Sequence, residues 1–128
     1  MSGMDKITPA QLDESLVDGS EPFVLDIRPR ASFSAGHIDG SHSIPVYSDL
    51  QRGDETAFRS RLDELPSDRR IVVMCKAGIV ARRATSILRE EGYDAATALG
   101  GMSGWTGYQR STLGYRLRAL LWRLTGAT

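Results

Sequence analysis

A chain of 128 residues, 41% hydrophobic and 25% charged, is long enough for one domain with a real core and too short for two, and its composition excludes global disorder. Sixteen acidic side chains balance sixteen basic ones, so net charge draws the protein neither to nucleic acid nor to a membrane. One cysteine and two histidines exclude an intramolecular disulfide and a structural zinc site of four nitrogen or sulfur ligands, and neither metal nor cofactor is expected. The opening residues Met1 to Lys6 hold no apolar segment of secretory length, and no stretch reaches membrane-spanning length. A cytoplasmic protein is expected, in a reducing compartment that suits a free thiol.

In chain order, Thr8-Pro9-Ala10-Gln11 predicts a helix start, with threonine as cap, proline in the first turn and glutamine reaching back. That helix should carry Leu12, Leu16 and Val17 inward and end by Gly19. Phe23 to Ile27 is an apolar strand, and Ala31 to Ala35 a short helical piece leading to a glycine-bounded turn at Gly36 to Gly40. Ser43 to Val46 predicts a third strand, closed by Pro45 at an edge or end. Thr56 to Leu65 reads as helical, with Phe58, Leu62 and Leu65 on one side.

Arg70 to Met74 is a β-branched apolar run of the kind that fills the middle of a parallel sheet. Cys75 ends it, and a helix follows in which Ile79, Arg83, Ile87 and Leu88 recur near helical spacing before Gly92 stops it. A thiol at such a junction faces the positive end of a helix and a turn of backbone N–H groups, and both favour the thiolate as a nucleophile. Ala95 to Leu99 is a strand of small residues, and Gly100-Gly101 opens a last turn toward Trp105. Strands alternating with helices predict an α/β fold, a mostly parallel central sheet flanked by helices.

The tail differs. No acidic residue follows Asp94, while Arg110, Arg116, Arg118 and Arg123 do. Leu113, Leu117, Leu120, Leu121 and Leu124 share one helical face, with Arg116 and Arg123 off it. The simpler reading packs this helix on its own domain or on a second copy, as a homodimer. The sharper one lays a basic amphipathic helix on a membrane surface or an acidic partner.

Three segments together resemble the rhodanese (sulfurtransferase) family. They are Asp26-Ile27-Arg28 followed by Gly36-His37-Ile38-Asp39-Gly40 with Ile44-Pro45, the Cys75 loop with Gly78, and Gly100-Gly101 with Trp105. The resemblance covers about Ile7 to Tyr108 and divides the chain into a rhodanese-like domain, 1–108, and a helical extension, 109–128. It implies that Cys75 carries sulfur: the thiolate takes the outer sulfur of thiosulfate or a persulfide donor and passes it to a thiol or other nucleophile, small or protein-borne. The loop residues Lys76, Ala77, Gly78, Ile79, Val80, Ala81 and Arg82 would bind the substrate.

One departure bears on the donor. Many active members of the family have arginine five positions after the cysteine and often serine next; here these are Val80 and Ala81. Without a guanidinium clamp for the sulfonate, thiosulfate is the weaker candidate and a persulfide the better one. Asp26, Arg28 and His37 are read as structural support, the charged pair tying the 36–40 turn to the sheet; His42 is expected in solvent. A cysteine-dependent phosphatase or arsenate reductase competes, but such loops need arginine six residues after the cysteine, where Ala81 stands, and redox recycling wants a second cysteine. A non-catalytic binding module also competes, although an inactive version would most simply have lost Cys75.

Overall fold

The computed structural model describes residues 4–125, with side chains described through Thr112 and at Leu120 in the last helix. Five strands, β1 (Lys6–Ile7), β2 (Phe23–Asp26), β3 (His42–Ser43), β4 (Ile71–Met74) and β5 (Ala95–Ala98), form one parallel sheet in the order β1-β5-β4-β2-β3. Helices α1 (Pro9–Val17), α2 (Arg30–Ala35), α3 (Tyr47–Gln51), α4 (Thr56–Arg59), α5 (Ala81–Glu90) and α6 (Gly101–Thr125) surround it.

β4 is central and buried throughout, which is why its sequence is an unbroken apolar run. Successive side chains of a strand face opposite ways. Leu25, Ile71, Val73 and Ala95 therefore meet Leu50, Phe58, Ala84 and Leu88 from α3, α4 and α5. Val24, Val72, Met74 and Ala96 meet Leu12 of α1 and Trp105 of α6 on the other side. Each fully buried large side chain, such as Phe58, contributes roughly 1.5–3 kcal/mol.

The Thr8 cap forms as expected: its hydroxyl accepts from Gln11 N–H and the Gln11 side chain accepts from Thr8 N–H. Only Leu12 goes inward, however, while Leu16 and Val17 are exposed, Val17 at 80%. Helix α1 meets α6 through Asp13, which accepts from the Tyr108 hydroxyl at 2.8 Å, and Leu16, one turn further on, lines a groove shared with Trp105 rather than the core. The expected strand at Ser43 to Val46 is shorter and earlier, His42–Ser43, because Pro45 has no N–H for a ladder. The expected helix from Thr56 to Leu65 breaks after Arg59 and resumes as a 3₁₀ turn, Leu62–Glu64. At the break the Ser60 hydroxyl donates to Ala57 O, competing with the helical ladder.

Helix α5 starts at Ala81, and its inward face is Ala81, Ala84, Thr85, Ile87 and Leu88. Ile79 precedes the helix and is 69% exposed, and Arg83 reaches across to Leu50 O, so neither belongs to the inward face that their spacing predicts. Gly92, at φ +90°, ends the helix in the left-handed conformation. Where only a turn was expected, α6 begins at Gly101 and runs without interruption past Tyr108. Within the apolar stripe of the tail, Leu120 is half exposed, while Leu113, Leu117, Leu121 and Leu124 lie outside the described side chains. No described helix is long and apolar enough to cross a membrane.

Candidate active site

From β2 the chain moves outward to β3, and from β4 it moves the other way to β5. The carboxyl ends of β2 and β4 therefore flank the point where the connections diverge, the place where open α/β sheets bind ligands. Arg28 follows β2 and Cys75 follows β4.

Cys75 is 1% exposed and packs with the α5 side of the core. Its Sγ accepts the Gly78 N–H at 3.0 Å, closing a tight turn from Cys75 to Gly78. Gly78 has φ +89°, and a Cβ there would stand 3.1 Å from Gly100 N and 3.2 Å from Ala98 O. Glycine is needed twice over, for the left-handed backbone and for the close approach. A second helix terminus completes the surroundings of the loop. At the start of α6, Met102 N–H donates to Cys75 O at 2.8 Å and Ser103 N–H donates to Lys76 O at 3.1 Å. These bonds satisfy donors that a helix N-terminus leaves free and fix the loop from the side opposite α5.

The loop residues diverge in their placement. Lys76, Ala77, Ile79 and Arg82 are exposed, whereas Val80 and Ala81 pack into the core. Beside the loop lies a cleft of about 660 Å³, and Lys76 is the loop residue on its wall. Arg28 comes to this wall from the end of β2, Tyr47 from α3, and Ser103 and Arg110 from α6. The motifs of the sequence do not point to Tyr47, Ser103 or Arg110 as site residues. The spacing of Ser103, Gly107 and Arg110 at i, i+4 and i+7 is the available signal, since these positions share a helical face.

Asp26 and Arg28 form a buried ion pair: Arg28 Nη2 donates to Asp26 Oδ2 at 2.7 Å and Nε to Oδ1 at 3.0 Å. The same Nη2 donates to Gly36 O at 2.7 Å, which ties the 36–40 turn to the end of β2. His37 is exposed, stacked on Phe33 at 3.8 Å, with Nδ1 2.8 Å from Phe33 O. It lines a separate groove beside Trp105 rather than the cleft of Lys76 and Arg110. His42 is half-buried and pairs with Glu64 at 2.8 Å instead of standing free in solvent. Among the described residues, no group of three or more His, Cys, Asp or Glu is placed to hold a metal ion.

The profile of the rhodanese-like domain matches residues 8–108. The chain belongs to the rhodanese-like domain family. A thiosulfate sulfurtransferase, GlpE, of Shewanella oneidensis is 32% identical over 106 residues, which are 82% of this chain and 95% of that protein. An adenylyltransferase and sulfurtransferase of Zea mays, MOCS3-1, is 31% identical over 101 residues, 78% of this chain. This chain spans about a fifth of the length of that maize protein. Among solved structures, a rhodanese-related protein of Thermoplasma volcanium superposes with a TM-score of 0.68 at 26% identity, covering 82% of this chain and 93% of its own. The rhodanese-like fold accounts for the parallel sheet and for the cysteine loop at the carboxyl end of β4.

Proposed function

We propose that this rhodanese-like domain is a sulfurtransferase that works through a persulfide on Cys75. The carrying observation is the Gly78 N–H donated to Cys75 Sγ, in a loop held between the starts of α5 and α6. An N–H aimed at sulfur favours the anionic form that attacks and, after transfer, the anionic persulfide. In the first half-reaction the Cys75 thiolate attacks the outer sulfur of the donor. A sulfur–sulfur bond forms to Cys75, the donor's own bond to that sulfur breaks, and its electron pair leaves with sulfite or with a thiolate. In the second half-reaction a nucleophilic acceptor attacks the outer sulfur, and the Cys75 thiolate is the leaving group. No net oxidant or reductant is consumed, and ping-pong kinetics follow.

Because Cys75 is almost wholly enclosed, a donor meets its sulfur only when the neighbouring wall gives way. Lys76, exposed and carried on a flexible stem, is suited to that movement. The placement of Val80 and Ala81 in the core weighs against phosphatase chemistry, which needs a loop guanidinium around a tetrahedral oxyanion.

The test is intact-protein mass spectrometry after incubation with thiosulfate and, separately, with a low-molecular-weight persulfide. The expected result is a gain of one sulfur in the parent protein and none in Cys75→Ser, with the variant's melting curve retained. A parent protein that gains no sulfur from either donor would overturn the reading.

A further inference from the structure

We propose that Arg110 and Lys76 form an anion-recognition site at the mouth of the cleft, and that it selects a small organic persulfide bearing a carboxylate. The proposal rests on the sulfurtransferase reading and names the class of donor.

Three basic side chains line the cleft, Arg28, Lys76 and Arg110, and among its described lining residues none is acidic. Arg28 is already engaged by the Asp26 carboxylate and by Gly36 O. Lys76 and Arg110 are both exposed and remain available to an incoming anion. The hydroxyls of Tyr47 and Ser103 stand on the same wall and supply neutral hydrogen bonds.

The position of Arg110 weighs between donors. Thiosulfate bears its charge on the sulfonate next to the sulfur that moves, so its clamp belongs inside the loop, at the position occupied by the buried, aliphatic Val80. Arg110 lies eight residues along α6 from Met102, whose N–H holds Cys75 O, or about 12 Å along the axis. Long helical side chains lean toward the N-terminus, so an arginine there reaches back toward the cysteine loop. Such an arrangement fits a donor whose charge is separated from its sulfur by several bonds. The volume of about 660 Å³ is that of a small-molecule site. Arg110 lies just past residue 108, where the match to the family model ends.

The step remains balanced: the Cys75 thiolate and an organic persulfide anion become the Cys75 persulfide anion and the organic thiolate. The experiment compares glutathione persulfide, with two carboxylates, against the persulfide of its dimethyl ester, using stopped-flow loading of the full chain. The quantity read is the acid-over-ester preference, the ratio of the two kcat/KM values on one preparation. In Arg110→Gln this preference should fall about tenfold, the low end for a charged hydrogen bond, and chiefly through KM. Lys76→Gln should lower it in the same direction, Arg110→Lys should restore part of it, and added salt should erode it in the parent. An acid-over-ester preference unchanged in both Arg110→Gln and Lys76→Gln overturns the proposal while leaving Cys75 as the carrier. If neither donor loads Cys75 in the parent, the carrier reading itself falls.

Discussion

Gly101 lies so close to Cys75 that a Cβ on it would stand 2.5 Å from the Cys75 carbonyl oxygen and 2.8 Å from Ala77 N. The contact is between backbones, which cannot swing aside as side chains do. Gly101 also has φ +56°, a conformation that side chains disfavour. Gly101→Ala should therefore push α6 off the loop, lower stability by about 1–3 kcal/mol and slow sulfur loading on Cys75. A Cβ added to Gly107, in the same helix, would meet nothing within 4 Å, so Gly107→Ala should instead stabilise by about 0.5–1 kcal/mol. Chemical denaturation of the two variants checks the opposite signs.

The Asp26–Arg28 pair is buried at the end of β2, beside the cysteine loop. Removing the guanidinium leaves a carboxylate without its counter-ion and frees the Gly36 carbonyl. Arg28→Ala should cost about 3–5 kcal/mol, the range for one partner lost from a buried pair. His37→Ala should cost only about 0.5–1 kcal/mol, since it removes an exposed ring stack on Phe33. Urea unfolding ranks the two. A His37→Ala protein of normal stability that had lost persulfide formation would promote His37 to the chemistry.

Glu64 offers a pH test remote from the cleft. The Arg61 side chain, first, and His42, second, hold its carboxyl down to about 2 from an ordinary 4.5. A carboxyl depressed on folding adds stability that is fully present above its unfolded value and is lost as pH falls through its folded one. The difference in urea midpoint between the parent and Glu64→Gln should thus be present at and above about pH 4.5, shrink from there toward about pH 2, and vanish below. A difference that persisted below pH 2 would show that the glutamate acts by packing rather than by charge.

What the sequence disclosed was what is local. Thr8 and Gln11 cap their own helix, the Ile71 to Met74 run is apolar because the strand is buried on both faces, and Gly92 stops the helix that precedes it. The unread parts depend on contacts distant in sequence. Lys6–Ile7 is too short to show a pattern and is a strand only because it pairs with Thr97 and Ala98. Ile79 has helical spacing but stands outside because α5 begins two residues later, where small alanines let the helix approach the sheet. Arg110 reads as one charge in a basic tail. It reaches the cleft because Met102 and Ser103 dock the start of α6 on the cysteine loop, a contact that no sequence window contains.

Val80 tests how the loop divides its work between packing and binding. Its side chain is 6% exposed and belongs to the same core cluster as Cys75, Ala84 and Leu88. An arginine there gives up buried apolar surface, although its aliphatic stem can cover part of the gap while the guanidinium turns toward the cysteine. Val80→Arg should therefore lower stability by about 1–2 kcal/mol. The same substitution supplies a charged donor beside the site of the incoming sulfonate. Such a bond, at about 1.5–3 kcal/mol, should raise the rate of Cys75 loading by thiosulfate roughly tenfold or more. Melting curves and single-turnover loading on one sample read both effects together. A folded Val80→Arg protein that loads thiosulfate no faster than the parent would place the limiting contact outside the loop, at the cleft wall that Lys76 and Arg110 share.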